Sequence, residues 1–461
     1  MKTASKLTAL ATALLLGACA VAPPLQDPKP PLPAQWLAPL PHGGQAASLV
    51  DWWQAFGDAQ LLALQTQAQQ RNPQLAQALA RLSQARAQRQ AASAQLAPQL
   101  SAQASAQRAK NLPSFQAMGS GVAQLSASWE MDLFGAQRAQ AQAGQALADA
   151  AQAQWHEARV SLAAEVAQAY LSYRQAQIAA GLAAQDLQAA ERIERAAAQA
   201  AQQGLMAPAQ AAEARVQLSE AQVMAATQQA LPGLWLQTLA LLVAEDAAPL
   251  AQRLGQAALP QAPQFPVPGV PATVLAQRPD LRSAHQQWLA AVFEQHSFEA
   301  QRYPQLSWGA LLGEGRLRMD GQTLKGGIWS IAPSLNLPLF DGGLRKAHSA
   351  AAAAREQEAR AALEARWRQA VAEVEEALLN VQKSETQVAA VQAAIAQWQR
   401  LDAVAEQRAG AGLISGLERA QAVRQFIAAK QGAYELALAR SNAWISLYRR
   451  LGGGWTPEQD S

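Results

Sequence analysis

The run Ala123-Gln124-Leu125-Ser126-Ala127-Ser128-Trp129-Glu130-Met131-Asp132-Leu133 alternates without a break between apolar and polar residues. A period of two sustained this long predicts a strand with one face in an apolar medium and the other in water. Directly after it, Ala136 to Gln203 contains no proline and is rich in Ala, Gln, Leu and Arg, all good helix formers. As one helix these about 68 residues would be roughly 100 Å long, far beyond an ordinary globular helix. Within it Leu162, Val166, Ala169 and Tyr173 follow the four, three, four spacing of a coiled-coil seam. The strand alone would fit a half-buried hairpin of a soluble domain; the helix joined to it argues against that.

The same unit is written twice. Asn72-Pro73-Gln74-Leu75 matches Arg278-Pro279-Asp280-Leu281, Pro98-Gln99-Leu100-Ser101 matches Pro304-Gln305-Leu306-Ser307, and Leu133-Phe134 matches Leu339-Phe340, each at an offset of 206. Further on the offset becomes 208, with Val166, Ala169 and Tyr173 facing Val374, Ala377 and Val381, and Gly204-Leu205 facing Gly412-Leu413. Agreement over such distances is duplication rather than composition bias. Each copy reads as helix, strand, loop, strand, long helix, turn, helix. The first copy opens at Pro73 after a cap at Asn72 and its helix runs to about Leu96 before Pro98. Partner strands are expected at 99–110 and 305–317. Trp329, Ile331, Leu335, Leu337 and Leu339 alternate with polar residues in the second copy, and Met118-Gly119-Ser120-Gly121 and Asp320-Gly321 read as the connecting loops. A second long helix spans about 343–411 with the seam Val371, Val374, Leu378 and Val381. The proline-bearing stretch 260–271 is not helical.

The N-terminus reads as an export signal. Lys2 and Lys6 precede an apolar stretch over residues 7–16 that is too short to span a bilayer as a mature helix. Leu16-Gly17-Ala18-Cys19 resembles a bacterial lipobox, in which cleavage precedes the cysteine and its thiol takes a diacylglycerol. The alternative is ordinary cleavage nearby with an incidental cysteine. Cys19 is the only cysteine, so an internal disulfide is excluded. By resemblance to such lipoproteins, Ala20 after the cysteine favours sorting to the outer membrane. The formal charge of +3 falls to +1 once Lys2 and Lys6 leave with the signal, which gives no electrostatic case for nucleic acid.

Four strands leave two edges whose backbone groups lipid cannot satisfy, so a protomer must share its barrel with other copies. Three copies would supply roughly twelve strands, within the range of known barrels. The number three comes from resemblance. The chain resembles the outer membrane efflux protein family in its OprM/NodT-type lipoprotein branch, with TolC a more distant relative. The lipobox, Asp51-Trp52-Trp53-Gln54-Ala55-Phe56-Gly57-Asp58, Asp132-Leu133-Phe134-Gly135, Arg278-Pro279-Asp280-Leu281, Pro338-Leu339-Phe340-Asp341-Gly342-Gly343 and Gly412-Leu413-Ile414-Ser415 carry it, in the family's order. Ala284-His285 departs from the Ala-Glu common at that place.

The resemblance implies a mainly α fold with a membrane β-barrel portion: two repeats per chain, long coiled-coil helices forming a periplasmic tunnel, and four strands per protomer in a shared trimeric barrel. On that reading residues 1–18 are signal peptide, 19–57 a lipid-anchored segment, 58–246 and 272–450 the two repeats, 247–271 a proline-rich equatorial segment, and 451–461 a tail. The implied protein is a homotrimeric exit duct for small toxic compounds. It sits in the outer membrane with a large periplasmic part, beside a periplasmic adaptor and an inner-membrane pump, with diacylglycerol and N-palmitoyl on Cys19 and no other cofactor. A lipid-anchored coiled-coil scaffold or adaptor without a pore is the alternative; it leaves two amphipathic hairpins at matching positions unexplained.

No catalytic or metal constellation emerges. His156-Glu157-Ala158 does not extend to a zinc pair, and His285 and His296 lie about three turns or roughly 16 Å apart. GxSxG and P-loop patterns are absent from the sequence. Functional positions are expected at the helix interruptions Gly204-Leu205-Met206-Ala207 and Gly412-Leu413-Ile414-Ser415, where glycine supplies the left-handed conformation that ends a helix. The resemblance places them at the periplasmic tip, where the adaptor docks; ordinary helix hairpins are the alternative. Glu213 and Glu418 are candidates for holding the tip closed. Where the family often has an aspartate, Gln421 stands instead, with Glu418, Arg419 and Arg424 as candidate substitutes or a plain solvated face. Trp129, Trp308, Trp329 and Phe134 fit either membrane interfaces or core packing.

Overall fold

The computed structural model describes residues 28, 32–33, 35–38, 40, 52–110, 117–267, 275, 277–319 and 322–453. The expected signal peptide, lipobox and Cys19, and the tail beyond residue 453, lie outside the described residues. After a 3₁₀ turn at Gln54–Phe56 the chain forms α1 (Ala59–Arg71), α2 (Pro73–Ala94), β1 (Gln99–Lys110), β2 (Ala117–Met131), α3 (Ala136–Gln202) and α4 (Pro208–Val243). Then follow α5 (Ala247–Leu254), α6 (Pro279–Ala300), β3 (Gln305–Met319), β4 (Gln322–Asn336), α7 (Leu344–Gly410) and α8 (Gly416–Arg450). Both expected long helices are present, each 67 residues.

Side-chain caps start both N-terminal helices; the one at Asn72 was expected, whereas the helix Ala59–Arg71 and its cap were not foreseen. The Asp58 carboxylate accepts from the backbone N–H of Gln60 at 2.8 Å and of Leu61 at 3.0 Å. The Asn72 side chain accepts from Gln74 and Leu75 at 2.8 and 3.1 Å, while Pro73 occupies a first-turn position that needs no N–H.

Two compact units divide the described residues. The first comprises Ala80–Ala153 and Arg282–Arg366 and holds one antiparallel sheet in the order β1-β2-β3-β4. Its register lines up Ala102, Leu125, Leu312 and Trp329 in one row, and Ser101, Ser126, Leu311 and Ser330 in the next. One face is therefore apolar and the other mostly Ser, Gln and Gly. Trp329 and Ile331 are 76% and 67% exposed, so among the described residues nothing covers this part of the apolar face. Gly313 is required by close approach, because a Cβ there would stand 2.4 Å from the Ala123 carbonyl oxygen. The outer strands β1 and β4 each leave an edge unpaired within this sheet. Pro333 lies on β4, where a lost ladder donor is tolerated.

One expectation is corrected. Met118–Gly121 lies inside β2 instead of a loop: Gly119 pairs with Arg108 on one side and Arg318 on the other, and Gly121 with Ala106 and Arg316. Ladders on both sides hold the glycines extended, so their turn propensity is overridden. Residues 111–116, between β1 and β2, and the expected loop Asp320-Gly321, between β3 and β4, lie outside the described residues.

The second unit comprises the described residues within 31–79, 154–281 and 367–453 and contains the core. Leu162, Val166, Ala169 and Tyr173 are all buried, as are Val374, Leu378 and Val381, with Val371 packed beside them. They meet Leu61, Leu64, Trp444, Ile445 and Leu447. Trp52 stacks on Tyr448 with ring centroids 4.7 Å apart and donates from Nε1 to the Pro263 carbonyl at 3.0 Å. Residues 255–267 are not helical, and Ala262, Phe265 and Val267 are buried; the helix α5 just before them was not foreseen. Arg278, almost fully buried, grips the Asp280 carboxylate with two bonds of 3.0 and 2.7 Å, Glu373 at 2.6 Å and the Arg450 carbonyl at 3.0 Å. The Arg-Pro-Asp-Leu motif thus fastens the start of α6 to α7 and to the end of α8.

Candidate functional site

The two helix reversals close with the same hydrogen bonds. Gly204 (φ 70°) and Gly412 (φ 69°) are left-handed. Leu205 N–H donates to the Ala200 carbonyl and Leu413 N–H to the Arg408 carbonyl, each at 2.8 Å, and each glycine N–H donates three residues back at 3.1 Å. This wide loop satisfies carbonyls that a helix end leaves open. Beyond the shared closure the two differ. α4 begins on Pro208 after an uncapped Ala207, whereas Ser415 and Glu418 form a reciprocal capping box at α8.

The turns lie side by side. Ile193 and Ala197 of α3, Ala211 and Ala214 of α4 and Ala420 of α8 form a small buried cluster, with Met206 and Leu417 packed on it. Leu205 and Leu413 instead point outward, 78% and 69% exposed, and Ile414 is half-buried. Two large apolar side chains thus stand exposed at equivalent positions of the two turns.

The charged candidates separate. Glu213 and Gln421 are exposed. The Glu418 carboxylate accepts from Ser415 N–H at 2.8 Å and Ser415 Oγ at 3.0 Å, and these bonds, the backbone one foremost, hold its pKa below the usual value. Arg419 Nη1 donates to Asp402 Oδ1 at 2.6 Å. Arg424 grips Asp186 of α3 with two bonds of 2.8 and 3.1 Å and reaches Gln217 of α4 at 3.2 Å. Asp186, Asp402 and Gln217 were missed in the sequence. Asp186 and Arg424 belong to different copies and sit 238 residues apart, so no local spacing joins them.

On the sheet, Trp129 and Trp308 are cross-strand neighbours, and Trp129 Nε1 donates to the Leu96 carbonyl at 3.0 Å. Phe134 stacks on Tyr303 at 4.9 Å. The exposed Trp308 and Trp329 are not core residues of the protomer.

A four-stranded, two-faced sheet with open edges in a chain with two 67-residue helices defines the class: a subunit that shares its barrel with other copies. The family described as outer membrane efflux protein matches residues 64–266 and 270–453, and the chain belongs to that family. It is 30% identical to the outer membrane protein OprJ of Pseudomonas aeruginosa, over 98% of this chain and 97% of that protein. It is 28% identical to the pyoverdine export outer membrane protein OpmQ of the same species, over 98% of each. The solved structure of the outer-membrane channel OprN superposes with a TM-score of 0.82 at 26% identity, covering 95% of this chain and all of that one. The chain is accordingly a non-catalytic outer-membrane channel of a tripartite efflux or export system, with a large periplasmic helical region. It trimerises and pairs with an adaptor and an inner-membrane pump. The pore-less scaffold reading falls with that assignment.

Proposed function

We propose that this chain is a lipid-anchored exit duct of the OprM/NodT-type branch, carrying small toxic compounds outward on energy supplied by the separate pump. Cys19 would bear the diacylglycerol and N-palmitoyl groups, and the reversals at Gly204–Ala207 and Gly412–Ser415 would dock the adaptor. The observation that carries the docking assignment is the pair of matched reversals with exposed Leu205 and Leu413 on a common buried cluster. The closing role proposed for Glu213 and Glu418 moves largely to Arg424, because Glu418 is spent on capping Ser415 while Arg424 ties α8 to α3 and α4.

Single-channel conductance in planar bilayers tests the closure. Arg424→Ala should raise the open fraction, and Glu213→Ala and Glu418→Ala should change it less; unchanged conductance in all three removes the gate. Leu205→Ser with Leu413→Ser should weaken capture of the adaptor while trimers persist, and undiminished capture would refute the docking role. The anchor is tested by palmitate labelling: a Cys19→Ser chain should take up no label, and label retained on that variant would place the lipid elsewhere. Screening a deletion strain against toxic compounds identifies the cargo, and unaltered sensitivity to the whole panel would exclude small toxic compounds.

A further inference from the structure

The apolar face of the sheet does not stay apolar along its whole length. Cross-strand partners share a face, and so do residues two apart on one strand. On that rule Arg108 and Lys110 of β1, Arg316 and Arg318 of β3 and Lys325 of β4 all project from the face that carries Leu125, Leu312, Trp308, Trp329 and Ile331. All five are exposed. Glu314 is the one carboxylate on this face among the described residues, and it lies two residues along from Arg316.

The five gather at the end next to the strand hairpins, away from the helices. From Leu306 to Arg316 is ten residues, about 34 Å of strand at about 3.4 Å each, or about 26 Å of height at a barrel tilt of about 40°. The apolar band of an outer-membrane barrel is about 25 Å tall. The basic residues therefore start where that band ends. Since the helices are periplasmic, this end belongs to the outer leaflet.

The floor between them is open. Gly119 sits between Arg108 and Arg318 in one row, and Gly121 stands beside Arg316 in the next. With strands about 4.8 Å apart, Arg108 and Arg318 start about 10 Å apart across a residue without a side chain. Guanidinium groups so placed can close on a phosphate from both sides.

We infer that the cluster Arg108, Lys110, Arg316, Arg318 and Lys325 is a binding site for phosphate-bearing glycolipid headgroups of the outer leaflet. It rests on the outer-membrane placement and is independent of the anchor and gate. The apolar rows below hold the acyl chains, and the basic rows neutralise the phosphates that a densely anionic leaflet presents to the barrel wall. Arginine dominates the set, as bidentate phosphate recognition favours.

The test uses the full trimer in phosphatidylcholine nanodiscs doped with diphosphoryl lipid A, with dephosphorylated lipid A as the control, and counts retained lipid by native mass spectrometry. The wild type should retain the phosphorylated form preferentially, and less of it as ionic strength rises. Arg316→Gln with Arg318→Gln should cut that retention on the order of tenfold, while Arg316→Lys with Arg318→Lys, which keeps the charge and loses the bidentate fork, should fall between the wild type and the glutamine variant. Equal retention of both lipids by the wild type, or no loss in the glutamine variant, overturns the site. If the glutamine variant does not trimerise, the lipid comparison and salt dependence of the wild type decide alone. Channel conductance should be unaffected, so a failed lipid site is distinguishable from a failed channel.

Discussion

The reversal at Gly204 and the one at Gly412 share a backbone and differ in everything that fastens it. Both glycines have φ near 70° and both turns close through the same two hydrogen bonds. Yet α4 starts uncapped, and the Arg215–Glu194 pair that links it to α3 is 3.4 Å long with the arginine 69% exposed. α8 starts in a capping box and carries Arg419–Asp402 and Arg424–Asp186, each with both partners mostly covered. Both copies keep what the chain needs in order to turn, whereas the ties that hold the second helix in place are the shorter and better covered in the second copy. A closing device built from α8 is consistent with that asymmetry, and one built equally from both turns is not.

The shared part predicts equal losses. Nothing lies within 4 Å of a Cβ added at Gly204 or Gly412, so substitution there is opposed by backbone strain alone. Gly204→Ala and Gly412→Ala should each destabilise their turn by about 1–2 kcal/mol, read as faster amide exchange over the flanking residues. A clearly larger loss at one turn would show that the two are not the same structure. Capping predicts unequal losses. Ser415→Ala should cost about 1 kcal/mol. Ala207→Ser should stabilise the other turn by about 0.5 kcal/mol, because Gln210 already stands where a capping box needs it. A smaller difference is expected from the ion pairs: Asp186→Asn should loosen α8 by about 1 kcal/mol or less, and Glu194→Gln should be undetectable given its exposed partner.

The parts legible in the sequence were those fixed by short-range chemistry. Period-two alternation placed β4 and β2 from Ala123 onward, a proline-free run of good helix formers and the seams at Leu162 and Val374 placed the long helices, and glycine placed both turns. Two kinds of feature escaped. Gly119 and Gly121 looked like a loop because their strand character comes from ladders to β1 and β3, a tertiary effect absent from local propensity. Arg424 was visible as a charge near a turn, but its partner Asp186 is on another helix of the other repeat, so its role as a tie was not. The basic end of the sheet lay unread for a related reason: Arg108, Arg316 and Lys325 become neighbours only once the register is known.

The smallest predicted difference concerns pH. Hydrogen bonds from Ser415 lower the Glu418 pKa in the folded protein, the backbone N–H first and the hydroxyl second. A carboxylate lowered on folding stabilises the folded state fully above its unfolded value of about 4.3 and loses that contribution as pH falls through the folded value. The Gly412 turn should therefore open progressively below about pH 4, once exchange is corrected for its intrinsic pH dependence. The Gly204 turn, with the non-titrating Gln210 in the corresponding place, should show no such change. Glu418→Gln should abolish the acid sensitivity at Gly412, since the amide can still accept from Ser415 but cannot gain a proton in this range. If both turns loosen together in acid, or the glutamine variant still responds, the capping box is not what distinguishes the two copies, and the shorter, better covered ion pairs of α8 are left as the whole of the difference.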